Sequence, residues 1–381
     1  MSASLPLLLL LTFLIWPVRS VRRTRSCYSP VKGYIFCSHT IQDQWNFVNF
    51  RSWLDSLKTP VDHVELSLRC LEGGSVVLPW PMRARGLKKI KITNCVVEGF
   101  FSEYNLEPAY PDSLVDFSMM DCIIRTDVNS NIQRTLMTTL SKSYSCGQQT
   151  IRSHVMRNIS FSFLPTSSPP SSKTLDRAFS AMRRQSKTRD FTCNYDNLLQ
   201  LEESNSDSIS SVHFEVMTDI SSYSSLRTFN FSSNRMTHLP DHLREWHKYF
   251  PTLEVLDLSK NHLRSFSFEK PKSVGRRKIF FVNLQHNKIS DVPRDIASYL
   301  DEPIPVILDL RNNPIHCTYN TFELVKYLNK IKNMFPILNF LTDIRCSLSP
   351  NPMKSKSEPA PEDNSNDTKS KLLQLFNLFG V

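Results

Sequence analysis

The chain has 381 residues, a formal net charge of +10, nine cysteines, 24 phenylalanines and only eight glycines. So few glycines supply no phosphate-cradling loop, dinucleotide fingerprint or G-x-S-x-G elbow, and the histidines lack H-E-x-x-H spacing. The residue types therefore point to no enzyme, no cofactor and no metal site, in one large or two ordinary domains.

Residues 1–20 read as a secretory signal peptide. An apolar run from Leu5 to Trp16 follows a short polar start and precedes the cleavage-type sequence Val18-Arg19-Ser20. No later stretch approaches the roughly 20 apolar residues of a membrane span, so the expectation is a secreted protein without a transmembrane segment. Sequons at Asn158, Asn230 and Asn366 fit that compartment. With nine cysteines, at least one cannot pair within the chain. Basic residues cluster at Arg19–Arg25 and between Lys173 and Arg189; they can adhere to sulfated glycans or anionic membrane surfaces, although an ordinary solvated surface is the favoured reading, and the compartment argues against nucleic acid.

After a 21–60 segment come three weak repeat units within 61–130. Leu87, Ile90, Ile92, Cys95 and Val97 form one, and Leu114, Phe117, Met119, Cys122 and Ile124 the next. An earlier unit, Val61, Val64, Leu66 and Leu71, has Arg69 in the slot that Cys95 and Cys122 fill. Residues 131–219 lose the pattern. There Ser160–Phe163 reads as a strand, Ile209-x-x-Val212-x-Phe214 as half a repeat, and Thr166–Thr188 as a Ser/Pro/basic insertion. Such a region either interrupts one repeat array or separates two.

The pattern returns in 220–316. Leu253, Leu256, Leu258, Asn261 and Leu263 match L-x-x-L-x-L-x-x-N-x-L, flanked by Leu226, Phe229, Phe231, Asn234, Met236 and by Ile279, Val282, Leu284, Asn287, Ile289. A fourth unit holds Leu308, Leu310, Asn313 and Ile315. In this template the apolar residues pack inward against neighbouring units, and asparagine satisfies backbone groups of the turn. Cys95 and Cys122 are expected as buried residues of the same ladder, small enough to replace asparagine.

Segment 317–350 begins Asn313-Pro314-Ile315-His316-Cys317, continues in a helical pattern (Phe322, Leu324, Val325, Leu328, Ile331) and closes at Cys346. These residues resemble the cysteine-flanked C-terminal cap of extracellular leucine-rich-repeat proteins. The run Leu253–Asn261 is similar to Toll-like receptor ectodomains and their soluble relatives. The cap departs from the family at Tyr319, which stands where a cysteine is expected, and no cysteine follows Cys346. The resemblance leaves one bridge there, Cys317–Cys346, and makes 21–60 a reduced N-terminal cap closed by Cys27 and Cys37. Cys70, Cys146 and Cys193 have no assigned place, one further bridge among them being open.

The resemblance implies an α/β fold, a curved solenoid with parallel strands on its concave face and disulfide-containing caps. It also implies binding of a protein, microbial product or glycan, with a role in innate immunity. Residues between the inward leucines then form columns on the concave face. One holds Glu65, Lys91, Ser118, Asn230, Asp257, Asn283 and Asp309; another holds His63, Lys89, Asp116, Thr228, Val255, Phe281 and Ile307. With Arg311, the residues Val255, Asp257, Phe281, Asn283, Ile307 and Asp309 are the candidate ligand contacts. A sugar on Asn230 would obstruct that face. The tail, 351–381, reads as disordered and ends in apolar residues from Leu372, the outline of a lipid-anchor signal. A soluble recognition protein, a lipid-anchored (GPI-type) adhesion receptor and a glycan-holding matrix protein all remain open, as does dimerisation.

Overall fold

The computed structural model describes residues 26–79, 82–99, 111–127, 148–164, 193–206, 209–269, 279–301, 305–318 and 321–347. The signal-peptide, Thr166–Thr188, Cys146, Tyr319, Asn366 and 351–381 readings lie outside them.

The fold is α/β, with one large, mostly parallel sheet and few helices. In chain order the first half holds β1 (Ser26–Tyr28), β2 (Tyr34–Ile41), β3 (Gln44–Asn46), α1 (Phe47–Asp55), β4 (His63–Cys70), β5 (Ser75–Val77), β6 (Leu87–Thr93), β7 (Val96–Glu98), β8 (Asp116–Asp127) and β9 (Ser153–Leu164). Next come β10 (Cys193–Asn194), β11 (Gln200–Ser204), α2 (Ser211–Ile220), β12 (Ser221–Ser222), β13 (Thr228–Asn230) and the one-turn helices α3 (Asp241–Arg244) and α4 (Trp246–Tyr249). The last group is β14 (Val255–Asp257), β15 (Phe280–Asn283), β16 (Val306–Asp309), β17 (Ile315–His316), α5 (Thr321–Met334) and β18 (Cys346–Ser347).

The principal sheet runs β1-β2-β4-β6-β8-β9-β11-β13-β14-β15-β16, and every pairing after the antiparallel β1–β2 is parallel. It passes without a break through 131–219, so that region neither interrupts the sheet nor divides it. Two further strand-and-turn units lie there: Ile151, His154, Met156 and Ile159, then Leu198, Leu201, Glu203 and Ser206. Their slot residues stand 37 and 47 positions after the preceding ones, against 24 to 28 elsewhere, so a search at fixed period passes over them.

From β6 onward each strand of the principal sheet leads into a turn at a residue in the left-handed region. Asn94, Asp121, Asn158, Asn205, Ser233, Lys260, His286 and Asn312 all have φ between 54° and 59°. Asparagine and aspartate tolerate this conformation best, because their short polar side chains bond locally. The residue that follows each one occupies the slot facing the interior.

From Asn234 onward that slot is asparagine. Asn261 Nδ2 donates to Phe231 O (2.9 Å) and Leu258 O (3.1 Å), while its Oδ1 accepts from Met236 N (3.0 Å). Asn287 and Asn313 repeat the arrangement one and two coils on, and Asn234 makes it with Glu203 O, Phe231 O and Ser206 N. In the first half the chain instead runs on past the turn into a second parallel ladder, β3-β5-β7-β8, continued by the long strand β9.

Between the strands and the return segments lies an apolar core rich in phenylalanine. Phe214 stacks on Phe229 (5.4 Å between centroids) and meets Phe231 edge-on; Trp246 stacks on Phe280 at 4.1 Å. Two register expectations change here. Ile279 is 43% exposed and its inward place is taken by Phe280, fully buried against Trp246 and Phe268. Ile209–Phe214 is not half a repeat: Ser211–Ile220 is a helix, burying Ser211, Phe214 and Thr218 at three- and four-residue steps.

The ends are closed differently. At the N-terminal end β1 folds back on β2 under the Cys27–Cys37 bridge, and α1 buries Phe47, Phe50 and Leu54. At the other end α5 buries Leu324, Tyr327 and Ile331, while Phe322 is 47% exposed beneath Lys326. The Tyr327 hydroxyl accepts from Leu308 N (2.6 Å) and donates to Val306 O (3.2 Å), pairing backbone of the edge strand β16 that would otherwise invite another strand. Cys317–Cys346 ties β17 to the parallel β18.

Candidate functional site

Side chains alternate along each strand, so those not turned into the core line the opposite, bare face in rows that cross the sheet. The registers give one row as Ser67, Lys91, Ser118, Val155, Glu202, Asn230, Asp257, Asn283 and Asp309. The parallel row is Glu65, Lys89, Asp116, Ser153, Gln200, Thr228, Val255, Phe281 and Ile307. The first unit therefore sits two residues from the register expected. Glu65 pairs with Lys89 rather than Lys91, and Leu71, not Arg69, falls in the slot. The register also shifts by one residue at a bulge between Val64 and Glu65. His63 leaves the row and stacks on Tyr34 (4.4 Å), whose hydroxyl donates to Glu65 (2.7 Å). Partial burial favours the neutral form of Glu65, but these bonds and the Lys89 charge outweigh it and lower its pKa.

Seven residues were candidates for ligand contact, and the structure divides them. Val255 is exposed and Phe281 half-buried, side by side on adjacent strands. Ile307 is only 1% exposed and Asp309 likewise, so neither forms part of an open contact surface. They lie on β16, the last strand of the principal sheet. Arg311 is held there too: it binds Asp309 through two nitrogens (2.9 and 2.7 Å) and lies 4.9 Å from the Phe340 ring centroid.

The Asn/Asp row has a backbone task. Asn230, Asp257, Asn283 and Asp309 each accept, through Oδ1, the amide two residues on, at 3.0, 2.9, 3.1 and 3.2 Å. This local turn explains why those positions carry short amide or carboxylate side chains without any ligand. The second oxygens continue the row, Asp257 accepting from Asn283 (3.2 Å) and Asp309 from Gln285 (2.6 Å).

The two further units add what the sequence reading missed. Arg157 forms a two-pronged pair with Glu202 (2.8 and 3.0 Å), and Ser204 donates to the same carboxylate. The signal was the L-x-x-L-x-x-x-x-S and I-x-x-H-x-M-x-x-I spacing, obscured by long insertions and by Glu203 and His154 at inward positions. Buried Glu203 is matched by His213 at 3.0 Å. At the other end Arg69, Lys89 and Lys91 are all exposed on the bare face.

No protein-family model and no curated protein matches this chain. Its reading therefore rests on its own residues.

The cysteines are placed as follows. Cys27–Cys37 and Cys317–Cys346 are bridged. Cys95 is not a free ladder residue: it is bonded to Cys70, and Cys193 is disulfide-bonded as well. Cys122 is a free, buried thiol. Among the described residues one cluster has the composition of a metal site, Cys27, Cys37 and His39, but its two sulfurs are bonded to each other. Of the sequons, Asn158 is exposed and donates to Asp121 (2.7 Å), and Asn230 lies half-buried in the bare-face row. Among the described residues no helix is long and apolar enough to cross a membrane, and the disulfides are compatible with an extracellular setting.

Proposed function

We propose that the chain is a secreted leucine-rich-repeat solenoid that binds a protein or glycan ligand through the bare face of its sheet and catalyses nothing. The single observation behind this reading is the set of side-chain rows crossing successive parallel strands, in which Val255 and Phe281 offer apolar surface inside a polar rim. Such a patch is what protein contacts use. The sequence resemblance to Toll-like receptor ectodomains and their soluble relatives, with an innate-immune role, belongs to the same proposal.

Exposed Arg69, Lys89 and Lys91 favour a second reading, in which sulfated glycan is held at the N-terminal end. The two are separated by expressing the full chain in secreting cells, locating the product and comparing two variants. Val255→Glu/Phe281→Glu is expected to abolish binding of the labelled protein to cells from which heparan sulfate has been removed. Lys89→Glu/Lys91→Glu is expected to lower the salt needed for elution from heparin. A product retained in the cell when well folded would end the secretory reading, and unchanged behaviour of both variants would end the bare-face reading.

A further inference from the structure

Three sulfurs meet on neighbouring coils. Cys95 and Cys122 occupy the same slot on adjacent parallel strands, with Thr93 paired to Met120 before them and Val96 to Ile123 after. Cys95 N donates to Cys122 Sγ at 3.4 Å. On its other side Cys95 is bridged to Cys70, with a Cα–Cα separation of 4.9 Å. Adjacent strands lie about 4.8 Å apart, within the roughly 4.4–6.8 Å that a disulfide spans, so either neighbour of Cys95 stands at bridging distance. A cleft of about 350 Å³ opens here, lined by Cys70 and Cys95 together with Leu71, Asn94, Asp121 and Ile123. Leu71 and Ile123 are each 42% exposed at its rim.

We propose that Cys70, Cys95 and Cys122 form a thiol–disulfide exchange site that delivers a modifiable Cys70 thiol to this cleft, where it takes a low-molecular-weight disulfide of the glutathione type. Cys122 gives up its proton and its thiolate attacks Cys95 Sγ. The Cys95–Cys122 bond forms as the Cys70–Cys95 bond breaks, and the electron pair leaves on Cys70. Cys70 thiolate then attacks one sulfur of the small disulfide, forming a mixed disulfide and expelling the other half as thiolate. Burial pushes the Cys122 thiol up to about 11, so the exchange quickens roughly tenfold per pH unit below that value.

The full chain is incubated with glutathione disulfide at pH 7.5 and 9, quenched in acid, digested and mapped by mass spectrometry. The expected products are glutathione on the Cys70 peptide and a Cys95–Cys122 cross-link, more abundant at pH 9. Cys122→Ser should lower Cys70 labelling at least tenfold; Cys122→Ala supplies the same comparison should the serine variant not fold. Glutathione on Cys122 with Cys70–Cys95 intact, equal Cys70 labelling in the variants, or no labelling at pH 9 would each overturn the proposal.

Discussion

The two halves of the sheet solve one problem in two ways. From β6 onward every strand of the principal sheet leads into a sharp turn at a left-handed residue, and such turns leave backbone groups facing an apolar interior. From Asn234 onward a single buried amide closes each turn, joining two carbonyls and one N–H across neighbouring coils. From β3 to β9 the chain extends into a second parallel ladder, and strand pairing carries the hydrogen bonds. The slot can then be Cys95, Cys122 or Ile159, none of which could serve the asparagine coils. What looks like a degenerate repeat is a different hydrogen-bonding scheme, which relaxes the demand on one side chain by lengthening the strand.

That contrast can be broken by substitution. Asn287→Ala strands the Leu263 amide and takes one of two donors from the Leu258 and Leu284 carbonyls, which keep Asn261 and Asn313; at ~1–3 kcal/mol for the unsatisfied buried amide, with the two lost bonds added, a loss of about 2–4 kcal/mol is expected in urea unfolding. Cys122→Ala should cost only about 1 kcal/mol, and similar losses at the two sites would refute the distinction. Removing the Cys317–Cys346 bridge, with its sequence separation of 29, is expected to cost roughly 3 kcal/mol in the chain-entropy account. Tyr327→Phe leaves Leu308 N unpaired and should cost ~1–3 kcal/mol, with faster hydrogen exchange at that amide. Lys260→Asn, at φ 55°, should stabilise by about 0.5–1 kcal/mol.

At the junction of the halves, a pH effect sharpens the same map. His154 stacks on Phe117, with Nδ1 out of reach of water, and burial lowers its pKa below 6.5 against the pull of Glu203. The unfolded chain thus binds the proton more readily. This contribution is present above about pH 6.5 and fades as the pH falls through the folded value. His154→Phe should flatten stability between pH 5 and 7, and an unchanged profile would reassign the effect.

The sequence was most readable where one side chain has an obligatory task. Asn234, Asn261, Asn287 and Asn313 stand out because no other residue both donates to carbonyls and accepts an amide in that space. The two further units were not readable, since Glu203 and His154 replace apolar residues and are tolerated only through tertiary partners. The first unit is displaced by two residues from the register expected, a slip that keeps the alternation of side chains and so leaves no mark in the pattern. The binding face was the least legible part. Asp257, Asn283 and Asp309 look like solvent-facing ligand contacts in sequence, whereas their oxygens close local turns, and Ile307 and Asp309 are buried on β16.

The left-handed residues carry one more implication, for how such a chain can change. Each coil is fastened by its own turn and slot, so what lies between fastenings is free to vary in length. Stretching a flexible loop to twice its length costs only about 0.6 kcal/mol. The interval from Cys122 to Ile159, and that from Ile159 to Ser206, are longer than the rest, yet the strands on either side keep step. A molecule assembled this way can acquire new surface by insertion at almost any coil without renegotiating its core.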